Sequence, residues 1–558
     1  MLLKICMKKY LLLFLFYLFL ALQVRSQIGG IVNIYQPVTE IVCNGVTVPD
    51  ASGFSKGALV FIIQRKGATI DLTNTAASRS LLNYNNCGNF ELQTVSSITN
   101  NTLFLGYRLL KNYTISGQVQ IVRVPQYTNA SVTSTLTCKP WDGASGGIVA
   151  LLASNTLTLN SNIDVSGKGF RGGTESKNPD GSCGAGYTDY YYPLTSGFGG
   201  EKGEGINLAL TPAMNTGRGP SANGGGGGNK QNSGGGGGGN YSAGGQGGHQ
   251  ASFCPSNPVG GIGGNSLDYS ISKIYMGGGG GCSDENDGVG TPGANGGGII
   301  ILIANTITGN GNSVLANGGD AGVLANTIGD GAGGGGGGGT ILLDVKNYNG
   351  NLNVFANGGK GGDQNTTFSA CFAPGGGGGC GVIEFADGTI PGNVNALTVE
   401  GKAGTDIHTA SSCYQTSYGA TAGKIGKGFK YNLPIPISTT QVPEKVDLGD
   451  DSILCDQPLI LNAFNAGASY VWSTNATTPT ITVSTAGTYW VRVSFPNCPV
   501  PLVDTVHIRT STLSLTASPT ATSCKGKCDG TATVIASGNN SPVTYSWNSP
   551  VVQTTAKA

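Results

Sequence analysis

Three histidines, His249, His408 and His507, stand far apart in a chain of 558 residues, which leaves little scope for imidazole acid–base chemistry. No G-x-S-x-G stretch in a strand-turn-helix setting and no cysteine-protease signature accompanies them, so no nucleophile–histidine–acid constellation is expected. Matches to G-x-G-x-x-G recur by chance wherever glycine is this common. Phosphate cradling also needs a helix after the glycines, and Gly-Lys-Ser/Thr is absent, so the nucleotide reading fails. Catalytic residues: none are assigned, and the chain reads as a non-enzyme.

Other groups invite a binding or structural role. Ser283-Asp284-Glu285-Asn286-Asp287-Gly288 is the densest acidic loop. It offers oxygen ligands of the type Ca2+ takes but lacks EF-hand spacing, so a solvated turn is the expected state. Asp447, Asp450, Asp451 and Asp456 form a second acidic cluster, at a domain entrance where a junction calcium would stiffen the linker. No other cofactor is implied. Tyr187, Tyr190, Tyr191, Tyr192 and Phe198 crowd one loop. Aromatic faces stack on sugar rings, but tyrosines also cover glycine backbone that has no side chains of its own, and packing is the favoured reading.

Lys4, Lys8 and Lys9 precede an apolar stretch from Tyr10 to Leu22, with Val24 and Ser26 as small residues before Gln27. This is the pattern of a cleaved secretory signal, residues 1–26. No later segment has the run of about 20 apolar residues that a membrane helix needs, so no transmembrane span is expected after cleavage. Export makes disulfides the default for the thirteen remaining cysteines. Cys455 with Cys498, and Cys524 with Cys528, are the candidate bridges. The odd count leaves one thiol free or paired beyond Ala558. The absence of C-x-x-C or histidine at ligand spacing argues against zinc.

Composition sets the frame for these groups. Glycine accounts for 95 residues and charged residues for 11%, against about 25% charged in an ordinary globular chain. The net charge of +1 provides no field for nucleic acid. Residues 28–140 alternate apolar runs with glycine turns and read as an amino-terminal β domain. Residues 141–430 hold 80 of the glycines, with uninterrupted runs at 224–228, 234–239, 277–281, 333–339 and 375–379.

An internal repeat argues that this stretch is more than a linker. Gly146-Gly147 leads into IVALL, Asn155-Thr156 and Ile163-Asp164-Val165. Gly297-Gly298 leads into IIILI, Asn305-Thr306 and Val314-Leu315. Gly338-Gly339 leads into TILLDV, Asn349-Gly350 and Leu352 to Ala356. A degenerate fourth copy spans Gly381 to Phe385 and Ala396 to Gly404. One unit cannot bury its branched residues alone, whereas stacked units can, so a β-solenoid-like region is expected. The glycine runs are expected to pack backbone to backbone as extended threefold helices. Residues 431–445 read as a proline-containing linker, 446–510 as a sandwich around Trp472, and 511–558 as a partial β repeat, which makes the chain all-β.

Three stretches carry resemblances. FSKGALVFIIQRKGATI (Phe54 to Ile70) and Lys139 to Gly173 resemble the amino-terminal and glycine-rich regions of large exported bacterial surface proteins. Leu448 to Val493, with YVWST and TAGTYWVRV, is similar to the immunoglobulin/PKD-like modules of Bacteroidota secreted proteins. From Leu513, TATSCKGKCDGTATVIASGNNSPVTYSW resembles the SprB-type repeat of gliding-motility adhesins through Cys524, Gly526, Cys528, Gly530, Tyr545 and Trp547. It departs from that pattern in lacking the closing strand, so the unit is expected to be partly unpaired.

These resemblances imply an adhesin-like protein on the outer-membrane exterior of a Gram-negative bacterium, associated with gliding motility or surface attachment. They also imply further repeats and a type IX sorting domain in a longer chain. The implied partners are surface polysaccharide or other cell-surface proteins. The alternatives are a dedicated polysaccharide-binding protein and a β-helical polysaccharide-degrading enzyme.

Overall fold

The runs IVALL, IIILI and TILLD that open the repeat copies lie side by side as parallel strands. In the computed structural model, strand Ile148–Leu159 pairs with Ile299–Thr308, that strand with Thr340–Asn349, and that in turn with Val382–Phe385. Ile148, Ile299, Thr340 and Val382 occupy one column. The structure describes residues 26–558 except 78–79, 175–182, 184–188, 193–198, 209, 211–213, 256–258, 271, 287–289, 326–328, 387, 432–445, 455–456, 466, 496–497, 499–500 and 539–541. The described residues divide into two compact units, within 1–439 and 440–558, and contain no α-helix.

In the first unit each coil bends at its asparagine corner and continues into a short second strand. These strands, Ile163–Asp164, Ser313–Leu315, Leu352–Phe355 and Val394–Leu397, are again parallel and in register. The curled sheet wraps a core that includes Val149, Leu151, Leu157, Ile163, Ile300, Val314, Ile341, Val354 and Ile383. Ile148, Ala150, Ile299, Ile301 and Leu342 face the other way, into a second core with Leu59, Phe61, Ile63, Tyr269 and Tyr275. Burial on both faces is why these strands read as continuous apolar runs rather than alternating ones.

The coil sheet extends past the repeat copies. Gln126–Thr137 pairs with Ile148–Leu159, Ser26–Ile31 pairs with Gln126–Thr137, and Phe429–Tyr431 closes the far end. The sheet therefore starts before residue 141, where the composition shifts. A period-two pattern looks the same whether its partner is parallel or antiparallel, so Gln126–Thr137 gave no sign of which sheet it joins. The amino-terminal seven-stranded sheet runs from Ile34–Pro37 through Val119–Val124, Leu59–Gln64, Phe90–Thr99, Thr102–Leu105 and Gly45–Thr47 to Glu40–Val42.

The glycine runs form an ordered lattice. Along 234–239 the backbone N–H groups point in three directions in rotation. Gly235 and Gly238 donate to Ala332 and Gly335, Gly236 and Gly239 to Gly226 and Asn223, and Gly234 and Gly237 to Gly248 and Gly245. Run 333–339 repeats the scheme: Gly334 and Gly337 donate to Gly281 and Gly278, Gly335 and Gly338 to Gly376 and Gly379, and Gly336 and Gly339 to Gly319 and Ala316. Three residues per turn is the period of the extended threefold helix. Because neighbours surround each run, a Cβ on Gly336 would lie 2.0 Å from the Asn295 carbonyl oxygen and one on Gly281 2.0 Å from that of Gly226.

Burial of side chains contributes little to this layer, and its cohesion comes from backbone hydrogen bonds, each worth about 1 kcal/mol net. Amides of 234–239 and 333–339 are therefore expected to exchange with deuterium many times more slowly than those of an unfolded peptide, as mass spectrometry of peptic fragments would show. Exchange at the unfolded rate would mean the lattice does not form in solution.

Of the two expected bridges, Cys524–Cys528 does not form. Cys183 bonds Cys254 and Cys371 bonds Cys413, while Cys43 and Cys498 are also disulfide-bonded. Cys455, the expected partner of Cys498, lies outside the described residues. Cys524 and Cys528 are exposed free thiols rather than a bridge, Cys87, Cys138 and Cys380 are free and buried, and Cys282 is buried. The single free thiol suggested by an odd count is thus an underestimate. Cys282 and Cys380 each follow a glycine run and act as small apolar side chains inside the packed layer.

The second unit packs a four-stranded sheet, Ser452–Leu454, Leu502–Thr510, Gly487–Ser494 and Ser469–Trp472, with the pair Leu459–Asn462 and Thr480–Val483. Both contribute to one core with Trp472 fully buried, and the indole Nε1 donates to the Thr478 carbonyl at 2.8 Å. Ser514–Thr520 and Thr531–Ser537 pair as an antiparallel hairpin, with Leu515 and Ile535 each 62% exposed.

Candidate functional site

One cleft of the first unit gathers residues from four separate stretches. Lys66 follows strand Leu59–Gln64, Trp141 precedes the first coil, and Arg171, Glu201 and Glu204 come from the insertion between the first two repeat copies. Glu204 is the hub. Its carboxylate accepts from Lys66 Nζ at 2.6 Å, Arg171 Nε at 3.0 Å and Trp141 Nε1 at 3.1 Å. Burial pushes the Glu204 carboxyl up, but the charges of and bonds from Lys66 and Arg171 outweigh it and hold the group below its usual range. The bond to Glu204 also raises the Arg171 guanidinium further.

Glu201 is also engaged, accepting from the Thr174 N–H at 2.8 Å, the Thr174 hydroxyl and the Asn215 amide. The space between these groups is about 270 Å³ and is also lined by Asn207 and Ser221, just below the span of about 300–1,000 Å³ usual for small-molecule sites. A general acid needs a carboxyl raised toward neutrality, and Glu204 is shifted the other way. The cleft suits polar binding rather than proton transfer.

The predicted tyrosines border this cleft through their backbone. Lys202 Nζ donates to the Tyr190, Gly217 and Gly219 carbonyls at 2.7, 2.9 and 2.5 Å. The N–H groups of Tyr190 and Tyr191 donate to Asn74 Oδ1 at 2.6 and 3.3 Å. The Arg218 guanidinium lies 5.8 Å from the Tyr190 ring centre. The Tyr192 hydroxyl donates to Asp189 at 2.9 Å, and its ring edge would lie 3.1 Å from a Cβ on Gly199. These three side chains are half-buried against glycine backbone. Tyr187 and Phe198 lie outside the described residues.

The acidic loop is not a solvated turn. Asp284 and Glu285 are fully buried: Asp284 accepts from the Asn232 N–H at 3.3 Å and Glu285 from the Gly290 N–H at 2.8 Å. Backbone donors freed by the glycine-rich turns supply the partners, a source that charge density in the sequence does not reveal. Asp287 and Gly288 lie outside the described residues. In the second cluster Asp451 accepts from the His507 N–H at 2.8 Å and Asp447 from the Gly449 N–H at 3.0 Å; Asp456 is not described. Among the described residues no three His, Cys, Asp or Glu side chains gather as metal ligands. His249 stacks edge-on against Tyr418, and His507 Nδ1 pairs with the Thr488 hydroxyl at 2.9 Å.

One chemically notable side chain carries little signal in the sequence. Glu384 stands in the fourth coil in register with Leu342, is 1% exposed, and neither carboxyl oxygen has a hydrogen-bond partner. Burial pushes its carboxyl up to about 8 against the partial pull of Lys430. Its only sequence signal is a charge inside the apolar run VIEF. Similarly, Arg65 is buried beside the Trp141 ring at 5.5 Å, and burial pushes its guanidinium down to about 9.

No protein-family model matches this chain, and no curated protein does. Among solved structures it is similar to the Gp54 tailspike of Acinetobacter baumannii bacteriophage AP22 in complex with A. baumannii capsular saccharide. The identity is 13% over 89% of this chain and 74% of that one, with a TM-score of 0.13, a value that carries no argument about fold or ligand. No helix of the described residues is long and apolar enough to cross a membrane.

Proposed function

We propose that this chain is an exported, non-catalytic surface scaffold of the adhesin type, whose stiff coil-and-glycine body and strung modules present contact faces outside the cell. The observation that carries the reading is the glycine lattice: runs bonded in three directions and fused to a parallel coil sheet make a body whose shape does not depend on a ligand. Rigid presentation lets many weak contacts act together. The disulfides Cys183–Cys254 and Cys371–Cys413 favour an oxidising, extracytoplasmic location. The two-sheet core around Trp472 supports an immunoglobulin/PKD-like spacer, and the resemblance from Leu513 onward a SprB-type repeat, its hairpin 514–537 bonded along one edge to 556–558. By the resemblances above, the setting is the outer-membrane exterior of a Gram-negative bacterium, in attachment or gliding.

Deleting the gene from the producing cells is expected to reduce their attachment to a solid surface, with restoration by the intact gene. Attachment and spreading unchanged in the deletion strain would reject the reading.

A further inference from the structure

The short second strands of the coils turn alternate side chains away from the core. Ile163, Val314 and Val354 point inward, while the intervening residues form three outward columns, fixed by the parallel register. The central column is Asp164, Leu315, Phe355 and Leu397. On one side run Ser313, Asn353 and Asn395, and on the other Ser166, Asn317 and Asn357, followed in the fourth coil by Val399, which is 45% exposed. Leu315 and Phe355 are half-buried, and Leu397 is 42% exposed.

The flanking amides are held in place by the neighbouring coil. Asn317 Oδ1 accepts from the Asn357 N–H at 2.8 Å, Asn357 Oδ1 from the Val399 N–H at 2.8 Å, and Asn395 Nδ2 donates to Asn353 Oδ1 at 3.1 Å. A shallow groove of about 420 Å³ follows the column of Ser166, Asn317 and Asn357 and reaches Asp320.

We propose that this face binds an extended, uncharged polysaccharide chain running along the coil axis, across the strands. Each step along that axis is one strand spacing, about 4.7–4.9 Å, close to the advance per sugar of an extended β-linked chain, so successive sugars meet successive rungs of the columns. The narrow apolar column, with the Phe355 ring and widened only in the fourth coil by Val399, matches the C–H face of sugar rings. The amide columns, pre-oriented by bonds that leave the –NH2 groups of Asn317 and Asn357 unused, match the hydroxyls on either side. Asp164 is the only charge in the three columns, which favours a neutral glycan over an anionic one. A protein partner would call for a broader apolar patch.

The assignment rests on the scaffold reading and names what the scaffold holds. Its test is electrophoresis of the full chain through gels containing hydroxyethyl cellulose, with linear β-1,4-mannan and xylan gels in parallel. Wild type is expected to be retarded in at least one gel. Phe355→Ser and Leu397→Glu, whose side chains lie outside the core, are each expected to weaken retention by about tenfold or more with unchanged melting. Retention that survives in both variants overturns the assignment to this face. Free migration of wild type in all three gels overturns the polysaccharide assignment. Neither outcome touches the scaffold reading, which stands or falls on cell attachment.

Discussion

Gly237→Ala is expected to destabilise the first unit by about 3 kcal/mol or more, or to prevent its folding. The added Cβ would lie 2.0 Å from the Gly377 carbonyl oxygen and 2.4 Å from its carbon, and neither neighbour is a side chain that can rotate aside. The Gly377 carbonyl accepts from the Gly245 N–H at 2.7 Å, its own N–H donates to Thr421 at 3.0 Å, and Gly237 itself donates to Gly245 at 2.8 Å. Moving Gly377 therefore breaks bonds in two further segments. Gly322→Ala and Gly392→Ala are the contrast, since neither Cβ would meet anything within 4 Å. These changes should be neutral or stabilising by up to about 1 kcal/mol through the unfolded chain. Chemical denaturation of the three variants against wild type measures the difference, and equal midpoints for Gly237→Ala and the contrast variants would show that the lattice does not constrain the fold.

The same geometry explains what could and could not be read in the residue order. The column of Ile148, Ile299, Thr340 and Val382 was legible because each copy opens with glycine before a branched run, and stacked coils must superpose equivalent positions. Period-two alternation identifies a strand but not its partner, so the membership of Ser26–Ile31 and Gln126–Thr137 in the coil sheet was hidden. Cysteine spacing does not encode pairing: Cys371 is nearest Cys380 in sequence yet bonds Cys413, brought near by the stacking of coils. The packing of Tyr190, Tyr191 and Tyr192 could be anticipated from the bare glycine beside them. The cleft could not, because Lys66, Trp141, Arg171 and Glu204 carry no motif and meet only through tertiary folding.

Glu384 supplies the second large effect, a stability that falls as pH rises. Its carboxyl sits at about 8 in the folded chain against about 4.3 for an unperturbed glutamate. Below the lower value both states are protonated and folding carries no penalty from this group. Between the two, the unfolded chain releases a proton that the folded chain keeps, so stability drops with each unit of pH; above about 8 both are ionised and the loss is complete. For a group this buried the total is on the order of 5 kcal/mol. Lys430, next to Glu384 in the register, forms no ion pair with it and offsets only part of the cost.

Glu384→Gln removes the titration while keeping the shape, and Glu384→Leu restores the residue type that the preceding coil places at Leu342. Both variants are expected to lie close to wild type at pH 4.5 and to exceed it increasingly up to pH 9, with the leucine variant the more stable because it leaves no polar atom unpaired. Melting temperatures of the three proteins across that range decide the matter. Parallel curves would mean that Glu384 is paired or hydrated in solution, and the acidic side chain would then have no share in the pH response of the coil sheet.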